Sequence, residues 1–205
     1  MSIQAQGLLC QYLSEDMSGI NLGSLELPKI ENDLVKIKIS HASLNFPDWL
    51  MSQGKYQRKP ELPFFLGMEG SGTIESVGPN VKDLKINDEV MFGGWGHGAM
   101  ANYIVLPESK ISKKPNALNM AEAAAFATAY TTAYVSLIRR GEMKSDDVVL
   151  IHGSSGGVGM AAVQLAKMFG NTVIATGTSD EILNTASSPG VATRCASPSL
   201  SFVGW

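Results

Sequence analysis

The sequence has few cysteines and no long apolar run. Only two of its 205 residues are cysteines, Cys10 and Cys195, which are too few for a disulfide scaffold or a structural zinc site. They fit ordinary thiols of a reducing cytoplasm, where we expect the protein. The uncharged stretch 123–138 falls short of the roughly 18 residues that indicate a transmembrane helix and is rich in Thr and Ala. We therefore expect a buried helix there and no membrane partner.

The sequence has no strong excess of either sign of charge. The 16 basic and 19 acidic residues give a net charge of -3, and no basic cluster marks a nucleic-acid surface, so we expect no nucleic-acid partner. The start, MSIQAQGLL, lacks the basic segment of a secretory signal. An apolar fraction of 44% excludes disorder throughout. The length allows one large domain or two small ones.

Short strands separated by turns dominate the first half. Residues 34–39 and 73–77 alternate apolar and polar side chains, which predicts half-buried strands. Two further strands are predicted over 89–92 and 101–106, and glycines lie between them. Many short antiparallel strands with Gly and Pro turns predict a compact barrel-like β domain.

The pattern changes near Asn119. Asn119 and Glu122 have the spacing of a capping box, and an Ala-rich helix is predicted to run to Arg139 or Arg140 and end at Gly141. The continuous apolar run 148–151 predicts a buried strand of a parallel sheet. A glycine loop, an amphipathic helix and a second strand over 172–176 complete one βαβ unit.

The end of the chain has no such pattern. Residues 184–205 carry one charge, Arg194, and no periodicity, which predicts a disordered tail and no third strand. The predicted organisation is therefore a β domain over 1–120, a partial nucleotide-binding domain over 121–183 and a tail over 184–205.

The glycine loop is the strongest chemical signal. It reads Gly153-Ser154-Ser155-Gly156-Gly157-Val158-Gly159, with glycines three apart at 153, 156 and 159. Such glycines permit a tight turn, close approach of the backbone to a pyrophosphate, and close packing of helix on strand. The helix N-terminus that follows favours the negative charge of a phosphate. The alternative is a glycine turn in some other α/β protein, and no Gly-Lys-Ser/Thr marks a Walker loop.

Six segments together resemble one family. They are SLNFPDWLMSQGKY (43–56), LPFFLGMEGSGTIESVGPNV (62–81), NDEV (87–90), GAMANYIVLP (98–107), AAAFATAYTTAY (123–134) and VVLIHGSSGGVGMAAVQLAKMFGNTVIAT (148–176). Their order resembles the medium-chain dehydrogenase/reductase superfamily, in its zinc-independent quinone oxidoreductase branch, over roughly 1–183. The resemblance implies a two-domain α/β fold, with a GroES-like β-barrel domain followed by a partial Rossmann domain. It also implies hydride transfer from NADPH to a quinone or an activated alkene, and homo-oligomers among full-length relatives.

The resemblance implies no catalytic zinc. Where zinc-dependent relatives place three ligands, this chain has Asn45, Met68 and Thr128, and an amide, a thioether and a hydroxyl do not form a catalytic zinc site. Asp48 and Glu69 are retained, but in those relatives they at most support the ligands. His152 is interpreted as a packed strand-end residue and His97 as a solvated loop residue.

The resemblance also implies candidate site residues. Asn45, Thr131 and Thr132 match positions near the nicotinamide, and their alternative roles are a turn residue and helix packing. Tyr56 and Tyr130 are aromatic candidates for the acceptor pocket or plain core. The expected catalytic set is Asn45, Thr131 and Tyr56. The expected cofactor set is Asn45, Thr131, Thr132, Ser154, Ser155, Gly156, Gly157, Val158, Gly177, Thr178 and Ser179.

NADPH is favoured over NADH. NAD-specific Rossmann domains end the second strand in an acidic residue that binds the ribose hydroxyls, whereas this position lies near Gly177. Thr178 and Ser179 offer hydroxyls to a 2′-phosphate. Asp180 and Glu181 oppose a phosphate unless they point away, and Ile182 stands where relatives often have Lys.

Two other functions remain open. The same two-domain unit serves enoyl-thioester reductases, and a truncated chain could be non-catalytic. A full Rossmann sheet needs about six strands, and the sequence predicts two. We therefore expect the β domain to fold alone, and the 121–183 part to be marginally stable with strand 172–176 at an open edge. We also expect the chain by itself neither to bind NADPH tightly nor to turn over.

Overall fold

The computed structural model describes residues 3–93, 97–177 and 193–196. The chain divides into two compact units, Met1–Ala127 and Thr128–Trp205, so the division lies seven residues beyond the end of the predicted first domain. The expected cofactor residues Thr178 and Ser179 lie outside the described residues.

The first unit is built from antiparallel strands. Its eight described strands are β1 (Ile3–Cys10), β2 (Ile20–Leu27), β3 (Leu34–Ser43), β4 (Phe64–Phe65), β5 (Glu69–Val77), β6 (Glu89–Phe92), β7 (Tyr103–Pro107) and β8 (Ile111–Lys113). Five of them form one sheet in the order β7-β3-β5-β6-β8, and three form a second sheet in the order β2-β1-β4. The four predicted strands of the first half, two of them predicted from alternation, all lie in the five-stranded sheet.

The core of this unit lies against the five-stranded sheet. The alternating apolar residues Val35 and Ile37 of β3 are fully buried and pack with Ile74, Val90 and Phe92 from the neighbouring strands. This is the expected outcome of a period of two, because every second side chain points to the same face of a sheet.

Two short helices belong to the first unit. Helix α1 (Phe46–Ser52) follows β3 directly, and helix α2 (Met120–Ala124) begins after Asn119. The predicted capping box is confirmed, since the Asn119 Oδ1 accepts from Glu122 N at 2.9 Å and the Glu122 carboxylate accepts from Asn119 N at 2.9 Å. The helix predicted to run from there to Arg139 or Arg140 is wrong as a single element: the Ala125 backbone leaves the helical region, with φ -102° and ψ 5°.

Helix α3 (Ala127–Tyr134) begins at the last residue of the first unit and continues in the second unit as a π-helical segment, Val135–Arg140, up to Gly141. Strand β9 (Val148–Ile151), helix α4 (Gly157–Met168) and strand β10 (Thr172–Gly177) form the predicted βαβ unit. Their buried residues, among them Ile151, Val163 and Val173, form a separate core.

A third parallel strand corrects the prediction for the tail. Strand β11 (Thr193–Ala196) pairs with β10, and the sheet order is β11-β10-β9. The prediction of no strand after 183 was therefore wrong for these four residues, and β10 is central in this sheet, where an open edge was expected. The backbone hydrogen bonds of a ladder do not require apolar periodicity, so a short strand carries little sequence signal. The remainder of the predicted tail lies outside the described residues.

None of the helices in the described ranges combines the length and apolar character that a bilayer crossing requires.

Candidate functional site

Asn45 lies where a strand ends and a helix begins. Strand β3 stops at Ser43, and Asn45 is the N-terminal cap of α1, with extended backbone angles of φ -122° and ψ 155°. Pro47 occupies the first turn, where its missing N–H would have no helical partner. The sequence Asn-Phe-Pro-Asp therefore starts a helix at this point and holds the Asn45 side chain at its tip.

Two carboxylates fix Asn45. The Asn45 backbone N–H donates to Asp48 Oδ2 at 2.8 Å. The Asn45 side-chain Nδ2 donates to Glu69 Oε1 at 2.9 Å and to Ser43 Oγ at 3.2 Å. Ser43 and Glu69 are register partners on strands β3 and β5, so the sheet itself brings both acceptors to the amide.

Both carboxylates are buried. Asp48 and Glu69 are each 1% exposed, and Asp48 Oδ1 also accepts from Gly67 N at 3.1 Å. Burial, and to a smaller extent the charge of Glu69, raise the pKa of Asp48, while the backbone N–H donors act in the opposite direction. The two acidic residues thus fix the position of Asn45, Asp48 through its backbone N–H and Glu69 through its side-chain amide.

A pocket of about 650 Å³ opens beside Asn45. Asn45 and Asp48 contribute its polar wall, and Met17, Leu44, Phe46 and Trp49 are among its apolar lining residues. Leu44 and Phe46 are 76% and 67% exposed. The Phe46 and Trp49 rings lie with centroids 5.3 Å apart. Sequence reasoning missed these residues, although the two large apolar residues that flank the capping Asn, Leu44 and Phe46, were a readable signal.

Tyr56 lies elsewhere in the first unit. It is half-buried and packs against a cluster that contains Cys10, Met51, Phe64 and Met68. This contact is the core role weighed as its alternative, and Tyr56 is not among the residues that line the pocket beside Asn45. Its catalytic role stays a prediction.

Two of the residues at the positions where zinc-dependent relatives place ligands make other contacts in this structure. Met68 is buried in the apolar cluster around Phe64, and the Asn45 amide is bonded to Glu69. Within the ranges that the structure describes, no three His, Cys, Asp or Glu side chains group closely enough to hold a metal ion. A thioether in an apolar cluster and an amide do not fit the thiolate and imidazole set that catalytic zinc requires.

The glycine loop of the second unit has the predicted close contacts. Gly153 adopts φ +62°, which favours glycine. A Cβ on Gly159 would lie 2.3 Å from Gly153 O, so the helix passes too close to the loop for any side chain. A Cβ on Gly157 would meet no atom within 4 Å. The backbone at Gly157 therefore faces open space at the start of α4.

The start of α4 is suited to an anion. Gly156 is the N-terminal cap, and no side chain caps this helix. Gly156, Gly157 and Val158 are exposed, and Ser155 is half-buried. Because the first N–H groups of a helix lack intrahelical partners, this segment offers donors to a phosphate. The residues present thus fit the diphosphate of a dinucleotide.

Ser154 is placed differently from its neighbours. Its side chain is fully buried, and both its N–H and its hydroxyl donate to Thr176 O at 3.1 Å. The neighbouring Thr176 Oγ1 lies 2.9 Å from His152 Nδ1. The Ser154 side chain, expected in the cofactor set, therefore joins the loop to β10 and does not face a ligand.

Three residues of α3 were candidates. Thr131 and Thr132 are exposed, and the Thr132 hydroxyl donates to Thr128 O at 2.7 Å, one turn back on the helix. The Tyr130 hydroxyl donates to Gln164 Oε1 of α4, a contact that fits the core role. Cofactor contacts of Thr131 and Thr132 stay predictions, as does the role of Gly177, which is buried at the end of β10.

The comparisons with known proteins agree on one family. Residues 31–116 match the alcohol dehydrogenase GroES-like domain. The chain is 32% identical to the human quinone oxidoreductase over 180 residues, which is 83% of this chain and 55% of that protein. The chain therefore spans about half the length of the curated relatives it matches.

Solved structures give the same result. The quinone oxidoreductase of Pseudomonas syringae superposes with a TM-score of 0.84 at 29% identity, covering 97% of this chain and 60% of that one. A mycobacterial protein complexed with NADPH superposes with a TM-score of 0.84 at 27% identity, covering 95% and 59%. The expected fold class, a GroES-like domain followed by a partial Rossmann domain, is confirmed. The resemblance to the medium-chain dehydrogenase/reductase superfamily, in its quinone oxidoreductase branch, is confirmed over the part of these relatives that the chain spans.

Proposed function

We propose that the chain carries the acceptor-binding and phosphate-binding parts of an NADPH-dependent oxidoreductase of quinones or activated alkenes. The observation that carries the proposal is the apolar pocket beside Asn45, lined by Leu44, Phe46 and Trp49. A flat, uncharged ring is the ligand that such a pocket favours, since large apolar surfaces gain most by burial.

The second unit would hold the cofactor. Bound NADPH supplies the hydride. The N–H groups of Gly157 and Val158 bind the diphosphate, and the open space at Gly157 admits it. The Gly156 N–H already donates to Gly153 O at 3.1 Å, so Gly156 shapes the loop. Support for the cofactor comes also from the similar mycobacterial protein, which was solved with NADPH.

NADPH is proposed in preference to NADH. The residue at the end of β10 is a glycine, Gly177. The repulsion that an Asp or Glu would exert on a 2′-phosphate is therefore absent at this position. Equal or tighter binding of NADH than of NADPH would reverse this preference.

An enoyl-thioester reductase is the second candidate, and the pocket argues against it. A CoA thioester brings several phosphate charges, and basic side chains are what such a ligand needs. None of the residues that line the pocket beside Asn45 is basic, and one of them is Asp48. We therefore propose a quinone or enone, with small-molecule partners only, and the cytoplasm as the compartment.

Tryptophan fluorescence tests the acceptor. Trp49 lines the pocket, so a naphthoquinone bound there should quench its emission saturably, while crotonyl-CoA should neither quench nor compete. The matched control is Trp49→Phe, which keeps an aromatic ring and should lose the saturable component. Quenching that survives in Trp49→Phe, or competition by crotonyl-CoA, would contradict the proposed acceptor.

A further inference from the structure

Strand β9 lies at the edge of the sheet of the second unit. The sheet order is β11-β10-β9, and no described strand pairs with β9 on its other side. Sheet edges of monomeric proteins commonly carry a charged side chain or a Pro, which hinders pairing with another chain. The four residues of β9 are Val, Val, Leu and Ile, so this edge has neither protection.

The backbone of β9 points hydrogen-bonding groups to its open side. The Asp147 carbonyl accepts from Thr172 N of β10 at 3.1 Å, so the backbone of Asp147 faces the sheet. Because the backbone groups of successive strand residues point alternately to the two sides, those of Val149 also face β10. The N–H and C=O groups of Val148 and Leu150 therefore face the open edge, where an incoming strand can bond to them.

The same two residues expose their apolar side chains. Val148 and Leu150 are 65% and 54% exposed, whereas Ile151 is 7% exposed and belongs to the core of this unit. Since side chains alternate between the faces of a sheet, Val148 and Leu150 lie on the face opposite to that core. Burial of these side chains against another strand would be favourable.

We propose that this edge is a dimer interface, in which β9 of one copy pairs antiparallel with β9 of a second copy about a twofold axis at Val149. In this register Val148 of each copy lies opposite Leu150 of the other. The residues whose backbone groups face outward thus form the hydrogen-bonded pairs, and their side chains cover one another on one face. The inference does not depend on the proposed function.

The residues that flank β9 favour a second copy as the occupant. Asp146 and Asp147 precede the strand and His152 follows it, and all three are exposed. Antiparallel pairing brings the acidic end of each strand next to His152 of the other copy, whereas parallel pairing would bring like charges together. His152 Nδ1 lies 2.9 Å from Thr176 Oγ1, which leaves Nε2 for a carboxylate. A twofold interface requires this kind of self-complementary surface.

Light scattering coupled to size-exclusion chromatography tests the interface. The wild type should have the mass of two chains and should dissociate on dilution. Leu150→Lys places a charge on the edge and should be monomeric at every concentration. The matched control is Leu22→Lys, on an 83% exposed residue of β2 in the first unit, which should remain dimeric. A monomeric wild type overturns the proposal, and so does a dimer that survives Leu150→Lys or is lost in Leu22→Lys.

A cysteine on the twofold axis tests the register. Val149 would face its own copy in a non-hydrogen-bonded pair, with Cα atoms about 4.5 Å apart, a distance that a disulfide spans. With Cys10 and Cys195 both replaced by Ala, Val149→Cys should form a disulfide-linked dimer under mild oxidation. The control Thr172→Cys, at an exposed residue of the neighbouring strand β10, should not. No linkage through Val149→Cys, or equal linkage through both variants, overturns the proposal.

Discussion

At the scale of single residues, the two central features of this protein depend on contacts that tolerate little change. Asn45 is held by Glu69 and Ser43 through its side chain and by Asp48 through its backbone. The glycine loop depends on Gly159, where a side chain has no room, and on Gly157, where it has ample room.

The two glycines give a matched pair of substitutions. Gly159→Ala places a Cβ against Gly153 O at 2.3 Å, and overpacking of this kind costs about 1–3 kcal/mol. Gly157→Ala meets no atom within 4 Å and should leave the free energy of unfolding within about 0.5 kcal/mol of the wild type. Urea unfolding of the second unit measures both, and equal stabilities of the two variants would contradict the loop geometry.

The pH dependence of stability tests the environment of Asp48. Its pKa is raised above the ordinary value of 3.8, so the folded state holds the proton more tightly than the unfolded chain. This contribution is present below pH 3.8 and is lost as the pH rises through the folded-state pKa.

The variant Asp48→Asn should be less stable than the wild type by about 1–3 kcal/mol. The reason is that one of the two backbone N–H groups bonded to Asp48, those of Asn45 and Gly67, loses its acceptor. The advantage of the wild type should shrink as the pH rises through that window. Urea unfolding at a series of pH values measures it, and an advantage that grows with pH would contradict the raised pKa.

At the scale of elements, the sequence correctly predicted those helices and strands that carry a hydrophobic period, a capping motif or a glycine loop. The alternation in β3, the Asn119 capping box and the βαβ unit around the glycine loop are all present. In each of these elements the residue pattern directly encodes either a buried face or a hydrogen bond.

Other elements have no such signal. Strands β1 and β2 are neighbours in the chain and pair along their full lengths, yet neither was predicted from the sequence. The pocket beside Asn45 joins Met17 of the β1–β2 connection to Trp49 of α1, a proximity that only the folded sheets create. The break after α2 depends on backbone angles at Ala125 that its residue type does not dictate.

Strand β11 can be tested through its backbone. Because Thr193–Ala196 pairs with β10 in parallel, amide hydrogens within these four residues should exchange more slowly than those of an unstructured chain. Hydrogen exchange followed by mass spectrometry measures this protection. Exchange at unstructured rates throughout the four residues would mean that β10 is not paired on this side.

At the scale of the whole molecule, the second unit exposes much apolar surface. Val148 and Leu150 of β9 are 65% and 54% exposed, and Met168 at the end of α4 is 72% exposed. A sheet that leaves one face uncovered gains less stability from burial. We therefore expect this chain alone to bind NADPH only weakly and not to sustain turnover.

An assay of the purified chain with NADPH and a naphthoquinone checks this expectation. Loss of NADPH absorbance should not exceed the rate without protein. Micromolar affinity together with steady turnover would show that the chain suffices for activity, and the expectation would then be wrong.

The most direct test of the nucleotide-binding claim is an NMR titration with NADPH, which detects weak binding residue by residue. The account predicts saturable shifts in the backbone amides of Gly157 and Val158, and their loss in Gly157→Asp, whose carboxylate would repel the diphosphate. Gly157→Ala, which fits the same open space, should keep the shifts. Amides of this loop that do not move at millimolar NADPH, or that move equally in Gly157→Asp, would contradict the account.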